Sequence, residues 1–267
     1  MKPVTRSSRI EEVQGPAWAL EARLHAPVGK NDVSFDFPAF GPGAYPSVVK
    51  EVLDNKQRLP TGEQTAFMLD EAYNSPVPEV KNSPRTQFVR DRIIRDGLLW
   101  VPKVNIWTPR SIGNPGMYSV FDENGESLAR VYTTEELEDR LSKGPTEKGV
   151  RFSQDRTVAF APQNTIRAGY HDKGTLAQDG AFIATYGVDG AEKLDNVANR
   201  FLLKPYSWIV NNRSGNNIQG LSGLGGGRGL GDGRLVAGFD SDGGNRDGYV
   251  VSVSGSSSSA EGTAPKN

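Results

Sequence analysis

Gly233-Arg234-Leu235-Val236-Ala237-Gly238-Phe239 and, beyond an acidic stretch, Asp247-Gly248-Tyr249-Val250-Val251-Ser252-Val253 are the segments on which the reading of this chain turns. In the first, Leu235, Ala237 and Phe239 alternate with Val236 and Gly238; in the second, Tyr249, Val251 and Val253 alternate with Val250 and Ser252. A two-residue period is that of a strand with one buried face. The stretch Asp240 to Gly248 between them reads as the loop of a hairpin. From about Asn211 onward Gly, Asp, Ser, Asn and Arg dominate, so the strands carry apolar residues on one side and small polar residues on the other.

Working back from these segments, Tyr206 to Val210 reads as another strand, and the helix before it as an amphipathic one. Asp189-Gly190-Ala191-Glu192 resembles a capping box, and Ala191, Leu194, Val197, Ala198 and Phe201 form one stripe. Trp100 to Trp107 and Met117 to Phe121 read as strands, the second turning at Asn124-Gly125 into a hairpin closed by Leu128 to Tyr132. Thr133-Thr134-Glu135-Glu136 caps a short charged helix, and Arg151-Phe152 and Thr157 to Phe160 return to strand. Thr61-Gly62-Glu63-Gln64 has the form of a capping box ahead of Ala66, Leu69 and Ala72. Ser83-Pro84 opens a helix striped by Phe88, Val89 and Ile93 and stopped at Gly97. The first 45 residues end in Phe37-Pro38-Ala39-Phe40-Gly41-Pro42-Gly43, whose prolines lack amide donors, and are expected to form an extended arm.

The 267 residues carry 31 basic and 32 acidic side chains, a net charge of -1, so no bulk field draws the chain to nucleic acid or anionic membranes. No cysteine is present, which removes disulfides, thiolate nucleophiles and cysteine-ligated zinc together. Charged residues interrupt Met1 to Pro27, so no signal-peptide core is expected, and no window reaches the roughly 18 apolar residues of a membrane span. The expectation is a soluble, cytoplasmic or virion-associated protein without membrane insertion.

Catalytic constellations are scarce. His25 and His171 are the only histidines, and each reads as a lone solvated or core side chain. There is no Gly-x-Ser-x-Gly elbow, and the glycines of 220–233 match neither a dinucleotide fingerprint nor a phosphate loop. Asp240, Asp242 and Asp247 with Asn245 supply oxygens of the kind calcium takes, but an EF-hand register would put Gly244 and Val251 at ligand positions. A solvated loop, with no metal or cofactor, is the reading. Arg228, Arg234 and Arg246, set among aspartates, read as members of exposed ion pairs of little weight.

One feature stands apart from composition. Between Gly220 and Ala260 there is no Lys, Glu, Gln, Met or Trp, types that make up roughly a fifth of the chain before it, so about seven would be expected. These are the residues that no codon ending in C encodes, whereas aspartate and arginine persist. The run Ile218-Gln219-Gly220-Leu221-Ser222-Gly223-Leu224, the glycine-rich stretch, Gly233 to Gly238, the acidic stretch and Asp247 to Val253 together resemble the variable region of proteins diversified by retroelements. Gly187 to Leu194 and Lys204-Pro205-Tyr206-Ser207-Trp208 are similar to the same group. The resemblance covers about the last 80 residues well. It implies a C-type-lectin-like domain whose variable side chains form a receptor-binding face, as in the phage tropism determinant. The chain departs from the pattern in running on past Ser254-Gly255 and in lacking the familiar tryptophans.

The expected architecture is α+β: an extended arm over 1–45, an α+β region over 46–160, a C-type-lectin-like ligand-binding domain over 161–255 and a disordered tail over 256–267. The resemblance implies a non-enzymatic protein that binds a protein or glycan through Arg228, Asp232, Asp240, Ser241, Asp242, Asn245, Arg246, Asp247 and Tyr249. Such a face needs a rigid scaffold, for which Leu235, Phe239, Val251 and Val253 are the inward residues, and outward small polar residues that adapt at low entropic cost. The alternatives are an enzyme or cation-binding protein of the sulfatase-modifying fold type, whose chemistry depends on absent cysteines, and a structural virion or surface component attached through the Phe37 arm.

Overall fold

The computed structural model describes residues 7–13, 21–28, 31–109, 113–127, 129–209, 216–226, 233–241 and 247–254. The architecture is α+β, as expected. The chain opens with strands β1 (Arg9–Val13), β2 (Glu21–Val28), β3 (Asn31–Phe37) and β4 (Phe40–Gly43), then helices α1 (Tyr45–Asp54), α2 (Gly62–Asn74), α3 (Pro78–Lys81) and α4 (Pro84–Phe88). α4 runs on into a π-helical turn over Val89–Ile94. Next come β5 (Leu99–Trp107), β6 (Gly116–Phe121), α5 (Thr134–Leu141), β7 (Thr146–Glu147), β8 (Val150–Phe152), β9 (Val158–Pro162) and β10 (Gly169–Tyr170). α6 (Gly180–Ala198), β11 (Tyr206–Trp208), β12 (Ile218–Gly225), β13 (Val236–Ser241), β14 (Gly248–Val250) and β15 (Val253–Ser254) complete it.

An 11-stranded sheet follows the order β10-β11-β13-β12-β5-β6-β9-β8-β7, with β14 joined to β5 and β4. A second sheet has the order β1-β2-β3-β15. Two apolar clusters lie on the two faces of β5. Leu99, Val101 and Trp107 face the cluster containing α2 and α6, whereas Trp100, Val104 and Ile106 face the one containing α1 and α5. The large sheet is therefore a central layer, which is why β5 is buried along its whole length.

Local signals placed α2, α4 and α5. Thr61 accepts from the Gln64 amide while the Gln64 side chain accepts from the Thr61 amide, the reciprocal capping box expected there. Ser83 and Thr133 cap their helices in the same one-sided way. α6 departs from expectation at its start. Its first turn is capped by Asp179, eight residues before the Gly187 break, and the carboxylate accepts from Ala181 N at 2.8 Å and Arg167 N at 2.8 Å. Gly187 has φ 75°, a left-handed conformation that costs glycine little, so the helix pauses there and resumes with Ala191 and Leu194 buried. The expected start at Asp189 is the first turn of this second segment.

Three further expectations are corrected. The described residues among the first 45 are not an arm: Ala22, Leu24 and Ala26 of β2 and Val33, Phe35 and Phe37 of β3 are buried under α2. Phe37 consequently offers no free attachment point. The prolines that suggested an arm are accommodated because β4 pairs with β14 through Phe40 and Gly43, leaving Pro42 between paired positions. The boundary expected at 160/161 falls inside β9, whose sheet contains strands from both sides of it. The hairpin expected to close with Leu128 to Tyr132 does not form, since β6 pairs with β5 and β9 instead; Leu128 lies outside the described residues. So does the tail expected over 256–267. Among the described residues no helix is long and apolar enough to cross a membrane.

Candidate functional site

β13 carries the scaffold half of the expected binding face. Leu235 just ahead of it, Ala237 and Phe239 are buried, while Val236 and Gly238 on the opposite face are half-buried, the alternation expected of a strand with one covered side. Phe239 meets Phe182 of α6 edge to face at 5.2 Å. Its carbonyl accepts from Trp107 Nε1 at 3.0 Å and from Asn105 Nδ2 at 3.3 Å. Asn105 Nδ2 also donates to Ser222 Oγ of β12 at 2.7 Å, so three adjacent strands share one buried polar link. Val251 and Val253, the other expected inward residues, are buried as well.

The expected hairpin between the two C-terminal segments is absent. β13 pairs with β11 and β12, whereas the residues after Asp247 go elsewhere: Tyr249 pairs with Leu99 of β5, Val250 with Phe40 of β4 and Val253 with Phe35 of β3. Val253 N also donates to the Arg58 carbonyl at 3.0 Å. The chain end thus ties the large sheet to the N-terminal one. A hairpin would have left β4 and β3 with unpaired edges.

Of the nine expected contact residues, Arg228, Asp232, Asp242, Asn245 and Arg246 lie outside the described residues. Asp240 and Ser241 are placed by their backbone at the end of β13, with Ser241 opposite Leu221. Asp247 is exposed immediately before β14. Tyr249 follows on β14, but its ring packs on the core, edge to face with Phe88 at 5.8 Å, and is half-buried. It therefore serves the scaffold more than the surface.

An aromatic surface beside β13 was not foreseen. Tyr206 and Trp208 of β11 meet edge to face at 5.1 Å, as do Tyr206 and Tyr170 of β10 at 4.9 Å, and the Arg234 guanidinium lies 5.0 Å over the Tyr170 ring. Arg234, expected in an ion pair, is instead the end of this ladder. Beneath it, Ser207 faces inward with His171, a core histidine as one of its two expected readings had it. His171 Nε2 lies 2.8 Å from Ser207 Oγ, which donates to the Arg167 carbonyl at 2.9 Å. With the hydroxyl hydrogen so engaged, the imidazole is the donor of the pair. Burial, then the Arg167 charge, lowers the His171 pKa to about 4. The pair joins β10 to β11 rather than activating the serine. His25 bridges strands likewise, with Nε2 2.7 Å from Glu11 and Nδ1 2.9 Å from Ser34. The available signal for the ladder was the order Tyr206-Ser207-Trp208, in which the polar residue, not the rings, takes the buried position.

No protein-family model matches the chain, and no curated protein matches it either. Among solved structures it is similar to a protein described as accommodating massive sequence variation in Nanoarchaeota by the C-type lectin fold. That likeness is at 10% identity and a TM-score of 0.42, covering 85% of this chain and 96% of the other.

Proposed function

We propose that the chain is a non-enzymatic binding protein of C-type-lectin-like build, whose C-terminal face is diversified to recognise a protein or glycan ligand. The observation that carries this reading is the division of labour along β13. Leu235, Ala237 and Phe239 are buried and tied to β5 through the Phe239 carbonyl, while the residue types of the surrounding segments are restricted to those a C-ending codon allows. A backbone held from one side tolerates exchange on the other, because outward substitutions disturb neither core packing nor the ladder hydrogen bonds. Arg228, Asp232, Asp240, Ser241, Asp242, Asn245, Arg246 and Asp247 are the contacts of this face.

Sequencing the DNA flanking the gene tests the reading. A reverse-transcriptase gene and a near-identical repeat of the coding segment for 220–254 are expected, with differences between repeat and gene concentrated at adenines. The codons for Leu235, Phe239, Val251 and Val253 should match the repeat. Absence of the repeat, or substitutions spread evenly over the inward codons, would end the proposal of diversification.

A further inference from the structure

Five large apolar side chains are markedly exposed among the described residues: Val131 at 85%, Leu202 at 88%, Tyr170 at 60%, Trp208 at 45% and Leu203 at 40%. Four of the five gather in one place. Tyr170 and Trp208 belong to the ladder on β10 and β11, and Leu203 N donates to the Gly233 carbonyl at 2.8 Å, which brings Leu202 and Leu203 against the residue preceding Arg234. Scattered exposed apolar residues are ordinary, but contiguous ones mark interaction surfaces. Tyrosine, tryptophan and arginine are also the types that dominate the energetic centres of protein interfaces.

We propose that Tyr170, Tyr206, Trp208 and Arg234, flanked by Leu202, form a docking surface for a protein segment that presents carboxylates among apolar side chains. This surface lies outside the candidate diversified contacts and stands whether or not those are diversified. The charge of its surroundings selects the partner. Arg234 stacks on Tyr170 with its Nε buried and without a hydrogen-bond acceptor. Lys173, which donates to the Phe201 carbonyl at 2.7 Å, has no carboxylate partner among the described residues, whereas the Arg167 charge acts on Asp172 and Asp179. The nearby pair of Lys204 and Asp172 is already neutralised. A carboxylate supplied by the partner complements the excess positive charge of Arg234 and Lys173. The edge contacts between rings hold the ladder in one arrangement, so ordering it on binding costs little entropy.

The number of charges argues against a membrane as the occupant. Attachment to an anionic lipid surface ordinarily uses clusters of roughly four to eight basic residues, and with Lys204 paired to Asp172 this rim keeps, among the described residues, only Arg234, Arg167 and Lys173.

The test is selection of peptides from a displayed random 12-mer library on the full chain, with counter-selection on a Trp208→Ser/Arg234→Glu variant. The expected winners carry Asp or Glu beside Leu, Phe or Trp. As synthetic peptides they should bind the parent chain about tenfold or more tighter than either Arg234→Glu or Tyr170→Ser, and bind Val131→Ser as well as the parent. Near-UV circular dichroism and melting temperature identify variants that remain folded, and Tyr170→Ser supplies the measurement if Arg234→Glu does not. Winners without carboxylates, winners that bind the variants equally, or no enrichment after counter-selection would overturn the proposal. So would a dimer, or sedimentation with phosphatidylserine vesicles, that the double variant abolishes, since either would identify a different occupant.

Discussion

β5 and β12 lie side by side at the middle of the large sheet, and both are covered on each face, yet they are made from opposite residues. β5 reads Leu-Trp-Val-Pro-Lys-Val-Asn-Ile-Trp and fills its surroundings with its own bulk. β12 reads Ile-Gln-Gly-Leu-Ser-Gly-Leu-Gly, and neighbours fill the space its glycines leave. A Cβ placed on Gly223 would stand 3.0 Å from Leu98 Cδ1, so the leucine side chain occupies the position a larger residue would need. Burial and hydrophobicity are thus separate properties. A strand can be central because it is apolar, or because it is thin enough for others to pack across it.

That contrast can be broken or sharpened by substitution. The largest effect is expected for Trp107→Ala on β5, about 3–5 kcal/mol of destabilisation, since it opens a cavity and also removes the donor to the Phe239 carbonyl. Urea unfolding measures it, and a cost below that of the next variant would contradict the contrast. On β12, Gly223→Val should cost about 1–3 kcal/mol through overpacking. Combining it with Leu98→Ala should recover part of the loss; additive losses in the double variant would show that Leu98 is not what fills the gap.

A smaller, pH-dependent effect is expected at the β10–β11 link. The folded-state pKa of His171 is about 4 against an ordinary 6.5, so between those values the unfolded chain holds a proton that the folded chain does not. Its contribution is complete above pH 6.5 and is lost as pH falls toward 4. Denaturation curves of His171→Gln across this range should show a shallower decline than the parent, and parallel curves would remove the histidine from the account. The smallest effect is expected for Asp247→Ala, within about 0.5 kcal/mol in the same assay, because an exposed side chain at a strand entrance carries little stability. A larger loss would place Asp247 in the scaffold beside Tyr249.

Much of the fold was legible because its signals are local. Thr61 with Gln64, Ser83 with Pro84 and Thr133 each cap a helix using atoms a few residues apart, and the apolar run of β5 and the alternation of Leu235, Ala237 and Phe239 need no distant partner to be read. β12 was missed because glycine and serine carry no hydrophobic period. β2 and β3 carry one, but it runs into the prolines of 38–42, which read as an extended arm. At the candidate site, Asp247 is exposed as a polar residue before a strand should be, whereas Tyr249 could not be told from a surface contact without Phe88. The ladder of Tyr170, Tyr206, Trp208 and Arg234 assembles three separated segments, and no one of them announces it.

The sequence by itself determined the starts of α2, α4 and α5, the inward faces of the apolar strands after residue 98 and the restricted residue types of 220–260. These depend on backbone chemistry within a few positions, on side-chain period, or on the coding of the chain. Tertiary structure alone decided which strands are neighbours. Strand neighbours such as Val253 and Phe35, and hydrogen-bonding partners such as Ser222 and Asn105, meet only when chain segments far apart in sequence are brought together, and an unpaired strand edge is indifferent to which of several edges satisfies it.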